Sequence, residues 1–275
     1  MKYGFYYDKK DYSCFVPYDL NRNAYIDAIE KEYKDKADRL TGRLARVQNS
    51  IGSERIIKLI QSEITEEHRI KKIIENDRYR EIGLENNIYN YFRAIKVGTN
   101  YLDNNTFDIF IICYLHSILM GNNSITEVRK KQNWYGKGDI STAELIFTPP
   151  ELLEKKMNDL IMYMNDQSRS ILCKTAIVHI QFESLHPFSD GNGRVGRLLL
   201  YLIIYKDGLI NYPFLYLGRI FKHYVHYYHF CEMKIRNEDD WEYWFEFYFK
   251  TINQFLDVLC NGDVKNDKWM LDNGE

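Results

Sequence analysis

Residues 186–197 read HPFSDGNGRVGR, and the run LLLYLIIYK follows at 198–206. The second run has the length and leucine content of a buried helix. Gly191 and Gly193 allow the backbone before it to turn sharply, because a residue without Cβ adopts positive φ at little cost. The chain must therefore fold so that a polar turn lies at the start of a buried helix.

The residue types in this turn predict a phosphate site. A helix N-terminus attracts anions, and Arg194 and Arg197 project from one side of the first helical turn, where they suit phosphate oxygens. Asp190 would repel phosphates but fits a divalent cation shared with them, such as Mg²⁺. His186 can act as the proton acceptor, since its ordinary pKa is near neutrality.

Other interpretations of the turn are weaker. GNGRVG also matches the GxGxxG dinucleotide fingerprint, which requires a preceding strand within a βαβ unit. The flanking sequence favours helices, although IVHIQF at 177–182 is compatible with a short strand. A P-loop is excluded because no GK followed by Ser or Thr is present. A purely structural turn would explain the glycines but not the two arginines and the histidine before proline.

HPFSDGNGRVGR resembles the signature of Fic domains, HxFx(D/E)GNGRxxR, at every specified position. The resemblance implies an enzyme that moves AMP from ATP to a hydroxyl of a protein side chain and releases pyrophosphate. In that comparison His186 is the general base, and Asp190 holds Mg²⁺ between the α and β phosphates. The other phosphate contacts that the resemblance implies come from Gly191, Asn192, Gly193, Arg194 for the inner phosphates and Arg197 for the γ-phosphate.

Residues 132–150, QNWYGKGDISTAELIFTPP, predict two short strands around a turn that contains Gly136 and Gly138. The segment resembles the flap of the family, a β-hairpin that pairs with the extended backbone of the target. The lead-in EVRKKQNW is similar to the family's GxFRxxQNWIGG run. An ordinary hairpin that covers the core is the alternative. The side chains expected to contact the target are Trp134, Tyr135, Ile146 and Phe147.

A second resemblance lies upstream, in VQNSIGSERI. Ser50 and Glu54 match the start of (S/T)xxxE(G/N), the inhibitory motif of some Fic proteins. There the glutamate pairs with the second arginine, here Arg197, and takes the place of the γ-phosphate. Arg55 stands where the family has Gly or Asn, and Ser53 replaces the usual apolar residue. The alternative is that a serine simply caps a helix that begins near Glu54.

The rest of the chain predicts one helical unit. Only five prolines occur in 275 residues, and apolar residues recur at helical spacing over 84–95, 107–118 and 241–259. We expect an all-α, Fic-type helical bundle with a small β-hairpin flap as its main β element. Residues 1–275 would form a single domain with an N-terminal helical extension, an inhibitory helix near 50–61 and a catalytic core over roughly 80–260. No winged-helix domain is expected.

Composition limits the partners and the compartment. Five scattered cysteines without a CxxC pair argue against a disulfide framework, and no signal peptide or membrane-spanning run is present. We therefore expect a cytoplasmic protein. A net charge of −2 gives no reason to expect nucleic-acid binding. The expected partners are ATP, with Mg²⁺ as cofactor, and a target protein; self-modification and a homodimer stay open.

The adenine contacts and the function both have alternative interpretations. Tyr227 and Tyr228 are candidates to pack against adenine, although aromatic residues at helical spacing usually fill a core. The function has three interpretations: AMP transfer restrained by Glu54, removal of AMP or transfer of another nucleotide or phosphate-linked group, and a non-catalytic nucleotide-binding interaction module. In the second interpretation, the glutamate would orient a water molecule for hydrolysis.

Overall fold

The computed structural model describes residues 3–50, 84–210 and 223–261, together with residues 61, 65, 217 and 221. The strands are β1 (Gly4–Asp8), β2 (Ser13–Pro17), β3 (Trp134–Tyr135) and β4 (Leu145–Ile146). The helices are α1 (Ala24–Ser50), α2 (Leu84–Leu102), α3 (Ile109–Met120), α4 (Pro150–Met164), α5 (Ile171–Leu185), α6 (Asn192–Lys206), α7 (Val225–Glu238) and α8 (Glu242–Asn261).

Two helices, α5 and α6, form the centre of the bundle. Every side chain from Leu172 to Leu185 is buried in α5, and α6 is buried from Val195 to Ile204. A helix that is buried on all sides belongs in the core of a protein. Helix α5 packs against α1, α4 and α6, while α2 and α3 cover α6. The polar segment 186–191 is the connection between these two helices, so it is fixed at one end of the bundle.

The periodic segments of the sequence form helices as expected. Residues 84–95 belong to α2, and the segment 241–259 belongs to α8 except for Trp241, which precedes the helix. Helix α3 begins after Asp108, whose Oδ1 accepts a hydrogen bond from Ile111 N at 2.8 Å. Residues 177–182 lie inside α5 and are not a strand. A dinucleotide fingerprint therefore has no preceding strand here, and the prediction of an all-α bundle is confirmed.

The larger β element was not expected. Strands β1 and β2 form an antiparallel hairpin from Gly4↔Pro17 to Asp8↔Ser13, with five residues in each strand. The flap strands have two residues each, so the flap is not the main β element. Strand β2 is buried continuously after Ser13, because it packs against α5. It therefore lacks the alternation of apolar and polar residues that marks a half-buried strand.

Within the part of the chain that the structure describes, no helix is both long and apolar enough to cross a bilayer. All five cysteines are described and none forms a disulfide; four are buried and Cys260 is exposed. The four buried cysteines are part of the core rather than a reactive cluster.

Candidate active site

The backbone of His186 is left-handed at the end of α5, with φ 48° and ψ 60°. This conformation is uncommon for a residue with a side chain and is usually taken by glycine at a helix end. The amide of His186 donates to Phe182 O at 2.9 Å. Its ring stacks on Phe147 with 3.9 Å between ring centroids and 15° between planes. The left-handed turn and the stacking together fix where the imidazole lies.

The electrostatic surroundings keep this imidazole neutral. Burial lowers the pKa of His186 to about 4, and the charge of Arg129 acts in the same direction. Nδ1 lies 3.4 Å from Glu183 O, and a carbonyl only accepts, so Nδ1 carries the proton. Nε2 is then the nitrogen with a free lone pair. A neutral ring with Nε2 available can accept a proton at pH 7.

The loop after His186 is closed by Asn192. Its Oδ1 accepts from Phe188 N at 2.9 Å and its Nδ2 donates to Phe188 O at 2.8 Å, while the side chain is buried. The amide of Asn192 therefore maintains the loop. A phosphate contact at this position would come from the backbone N–H groups of Asn192 and Gly193 at the start of α6, because those of Arg194 and Val195 already donate to Gly191 O.

Gly191 precedes α6 with φ 79°. A Cβ at this position would lie 2.8 Å from Met120 Sδ and 3.3 Å from His116 Nε2, so both conformation and space require glycine. His116, which the sequence analysis missed, donates from Nε2 to Asp190 O at 2.9 Å and stacks on Phe188. Through His116, which lies outside residues 186–197, helix α3 thus fixes the position of the loop.

Asp190 is the candidate metal ligand. Its side chain is 69% exposed; Oδ1 accepts from Gly191 N at 2.6 Å, and Oδ2 lies 3.6 Å from Arg194 Nη2. Among the described residues, no group of three His, Cys, Asp or Glu side chains could hold a metal ion. A single exposed carboxylate beside a helix N-terminus nevertheless fits Mg²⁺, which takes most of its ligands from phosphates and water.

The two arginines of the motif lie in different surroundings. Arg194 is partly exposed, and its Nη1 is 3.4 Å from Leu119 O at the end of α3. Arg197 is only 7% exposed. A Cβ on Gly193 would be 3.0 Å from Arg197 Nη1, so the missing side chain lets this guanidinium lie against the first turn of α6. Arg194 is therefore partly accessible to a ligand, whereas Arg197 is buried.

The predicted hairpin at 132–150 is present. Trp134 pairs with Ile146 and Tyr135 with Leu145. Trp134 and Tyr135 are exposed, but Ile146 and Phe147 are buried. The four side chains expected to contact a target therefore differ in exposure, because Ile146 and Phe147 are buried and Phe147 packs on the imidazole. Contact with a target stays a prediction, and Trp134 and Tyr135 are the pair exposed for it.

A cavity of about 140 Å³ lies between the flap, His186 and α7. Its walls include Tyr135, Leu145, Phe147, His186, Tyr228 and Met233. Tyr227 does not line this cavity. Its ring is partly exposed and packs on Phe230 and Phe247 instead. Of the two tyrosines proposed for adenine, the structure brings only Tyr228 to the site.

The cavity also contains a buried ionic group on α7. Glu232 accepts from His229 Nδ1 at 3.0 Å and from Arg236 Nη2 at 3.4 Å. Burial raises the pKa of Glu232, but the charge of Arg236 and the bond from His229 outweigh it and lower the pKa below its usual range. This group was not predicted from the sequence. Its spacing of three and four residues on one helix was the available signal.

The upstream candidate is only partly described. Ser50 is the last residue of α1, is exposed, and donates from Oγ to Val47 O at 2.8 Å. Its hydroxyl is thus bonded within α1. Glu54, Ser53 and Arg55 lie outside the described residues, so the proposed inhibitory contact stays a prediction.

Fold and site together define a helical bundle in which a glycine-rich loop joins the two central helices beneath a β-hairpin. Residues 106–204 match the family model for the Fic/DOC family. Residues 106–204 are thus assigned to the Fic/DOC family, and they contain the loop at 186–197.

Curated relatives agree with this assignment. A probable protein adenylyltransferase of Aquifex aeolicus is 36% identical over 83 residues, covering 29% of this chain and 26% of the relative. Protein adenylyltransferase fic-1 of Caenorhabditis briggsae is 34% identical over 105 residues, covering 35% of this chain and 19% of the relative. The chain thus matches only about a quarter or less of the length of these two relatives.

Solved structures show the same fold over most of the chain. Fic-1 of Caenorhabditis elegans superposes with a TM-score of 0.61 at 18% identity, covering 87% of this chain and 74% of that one. A Fic family protein of Desulfovibrio desulfuricans gives a TM-score of 0.56 at 21% identity, covering 89% and 74%. At these identities the likeness concerns the fold alone.

Proposed function

We propose that this chain is a protein adenylyltransferase that transfers AMP from ATP to a hydroxyl side chain of a target protein. The observation that carries the proposal is the position of His186. Its neutral imidazole lies between the flap, the cavity and the loop that leads to the N-terminus of α6. The names of the curated relatives support the same reaction.

In the proposed reaction, Nε2 of His186 takes the proton of the target hydroxyl while its oxygen attacks the α-phosphorus of ATP. The bond from this phosphorus to the bridging oxygen breaks, and pyrophosphate leaves. The backbone amides at the start of α6 bind phosphate oxygens, with Arg194 at the inner phosphates and Arg197 at the γ-phosphate. Mg²⁺ held by Asp190 would neutralise charge that builds up on the phosphates.

The nucleoside and the target occupy neighbouring sites in this proposal, because flap residues also line the cavity beside the imidazole. The base of ATP enters the cavity, where Tyr228 and Phe147 are flat aromatic walls and Glu232 is an ionised acceptor. The target segment adds as an extended strand beside the flap, where main-chain hydrogen bonds orient it independently of its sequence. Trp134 and Tyr135 provide exposed side chains for it.

Restraint by Glu54 is part of the proposal. A carboxylate and a γ-phosphate compete for the same guanidinium, that of Arg197. Because Arg197 is 7% exposed, such a contact is screened little by solvent and salt. Removal of the carboxylate would then free the position for the γ-phosphate and raise the rate of transfer.

Mass spectrometry tests the reaction and its restraint together. The wild-type chain, Glu54→Gly and the double variant Glu54→Gly/His186→Ala are incubated with ATP and Mg²⁺, alone and with a cell extract as a source of targets. We expect a mass gain of one AMP per modified site with Glu54→Gly, much less with the wild type, and none with the double variant. Glu54→Gly/His226→Ala is the matched control, because His226 is exposed on α7.

Other outcomes separate the alternatives. Absence of AMP on every protein, including the chain itself, with Glu54→Gly would exclude AMP transfer. Equal labelling by the wild type and Glu54→Gly would exclude the restraint. Release of free AMP from a modified protein, dependent on Glu54, would instead identify the reverse reaction. If the His186→Ala variant keeps the biological effect of the wild-type chain in cells, the result would favour a non-catalytic nucleotide-binding interaction module.

A further inference from the structure

Arg129 is a buried arginine outside the loop motif, in the segment that leads from α3 to the flap. Its side chain is 6% exposed. Nε donates to His186 O at 2.7 Å, and Nη2 donates to Leu185 O at 3.2 Å. Nη1 donates to Lys131 O at 2.9 Å, and Nη2 also donates to Thr148 O. In the described ranges, these four side-chain bonds all end on backbone carbonyls.

The four carbonyls belong to two different parts of the site. Leu185 and His186 form the C-terminal end of α5, where the helix dipole and the last carbonyls favour a cation. Lys131 and Thr148 flank the flap, before β3 and after β4. The backbone amide of Arg129 adds a bond to Pro187 O at 2.9 Å. One residue therefore joins both ends of the flap to the backbone of the histidine.

The flap needs such an external support. Each of its strands has only two residues, and a two-stranded ladder of this length is marginal by itself. Burial lowers the pKa of the Arg129 guanidinium to about 10, so it remains charged at neutral pH. A planar guanidinium can direct donors to several acceptors at once, whereas a lysine ammonium on a flexible stem cannot reach all four.

We propose that Arg129 is a positioning residue that fixes the flap at a set distance from His186, so that a strand bound to the flap presents its hydroxyl to Nε2. This inference deepens the proposed AMP transfer and rests on it for its functional consequence. The structural part, that Arg129 holds the flap, does not depend on the reaction.

Hydrogen exchange tests the structural part on the full chain. Arg129→Lys keeps the positive charge but loses the planar guanidinium that donates to several carbonyls at once. Arg39→Lys is the matched control, because Arg39 lies on the exposed face of α1. The reporters are the flap amides of Glu144 and Phe147, which donate to Tyr135 O at 2.9 Å and to Asn133 O at 3.2 Å. We expect at least about tenfold faster exchange of these amides in Arg129→Lys, with α1 and α8 unchanged, because charge-assisted bonds that close the flap are lost.

Kinetics test the functional part. In the Glu54→Gly background, Arg129→Lys should lower kcat/KM for the protein target by about tenfold or more and raise KM for ATP by clearly less, because the flap orients the target directly but only lines the cavity for the base, while the α6 terminus holds the phosphates. A loss that falls equally on target and ATP contradicts a positioning role.

Each further result has a defined meaning. Unchanged flap exchange in Arg129→Lys overturns the proposal. An unfolded variant, or exchange that rises equally in α1 and the flap, assigns Arg129 to general stability and also overturns it. If Glu54→Gly transfers no AMP at all, the proposed function fails, whereas the exchange result still decides whether Arg129 holds the flap.

Discussion

The ring of Phe147 lies almost parallel to the imidazole of His186, with 3.9 Å between their centroids. Phe147 directly follows β4, so the returning strand of the flap is in contact with the proposed base. This contact also helps to exclude water from the ring, whose pKa burial lowers to about 4. Flap position and base strength are therefore linked through one aromatic side chain.

Phe147→Ala should remove both effects. Without the stacked ring, water reaches the imidazole, and the pKa of His186 should move back up toward its ordinary value. NMR titration of the His186 ring protons would measure this directly. Ile146→Val is the control, because it shortens a buried flap side chain without touching the stack. A His186 pKa that stays near 4 in Phe147→Ala would mean that other groups bury the ring.

Gly191→Ala should abolish ATP binding and destabilise the fold by about 1–2 kcal/mol, the usual cost of a left-handed alanine. The added Cβ would also lie 2.8 Å from Met120 Sδ. Gly208→Ala is a matched control, since Gly208 has φ +75° but nothing within 4 Å of its Cβ position. Calorimetric titration with Mg²⁺ and ATP, together with urea unfolding, measures both. If the two variants bind ATP alike, the contact with α3 is unimportant.

His116→Ala should loosen the loop that carries Asp190. The substitution removes the hydrogen bond from His116 Nε2 to Asp190 O. It also removes the stacking of the His116 ring on Phe188, in which the two ring centroids are 4.0 Å apart. We expect a loss of about 1–3 kcal/mol of stability, because the packing of the buried His116 ring is lost together with its partly buried hydrogen bond to Asp190 O. We also expect weaker binding of ATP with Mg²⁺, whereas His223→Ala, on an exposed residue, should change neither. Unchanged affinity in His116→Ala would separate His116 from the loop's function.

Stability should fall in mild acid. Burial lowers the pKa of His186 to about 4 and that of His179 to about 3, from 6.5. The unfolded chain takes up these protons below pH 6.5 while the folded chain does not. The free energy of unfolding therefore decreases as the pH falls from about 6.5 to 4, by about 3 kcal/mol for His186 alone.

Urea unfolding at several pH values checks this linkage. His186→Ala should reduce the slope of the unfolding free energy against pH by close to one proton, or about 1.4 kcal/mol per pH unit, in this range. Ile146→Val, which removes no titratable group, should keep the wild-type slope. Parallel curves for wild type and His186→Ala would show that the ring titrates normally in the folded chain.

Local patterns were sufficient for the helices and for the presence of the flap. Apolar spacing predicts α2, α3 and α8, because a helical face repeats within a few residues. The hairpin β1–β2 escaped prediction, since β2 is buried on both faces by α5 and by the flap strand β4 and so shows no alternation. Its register depends on packing against segments more than a hundred residues away.

The sequence by itself determined which chemical groups the loop carries, because a histidine, a carboxylate, glycines and arginines all lie within residues 186–197. Only the tertiary structure decided which side chains support it. Arg129 meets His186 across 57 positions of sequence, and His116 meets Asp190 across 74. Such pairs carry no local signal, because their distance is set by how α3, α5 and α6 pack. The same packing turns Phe147 inward to the imidazole and leaves Trp134 exposed on the flap.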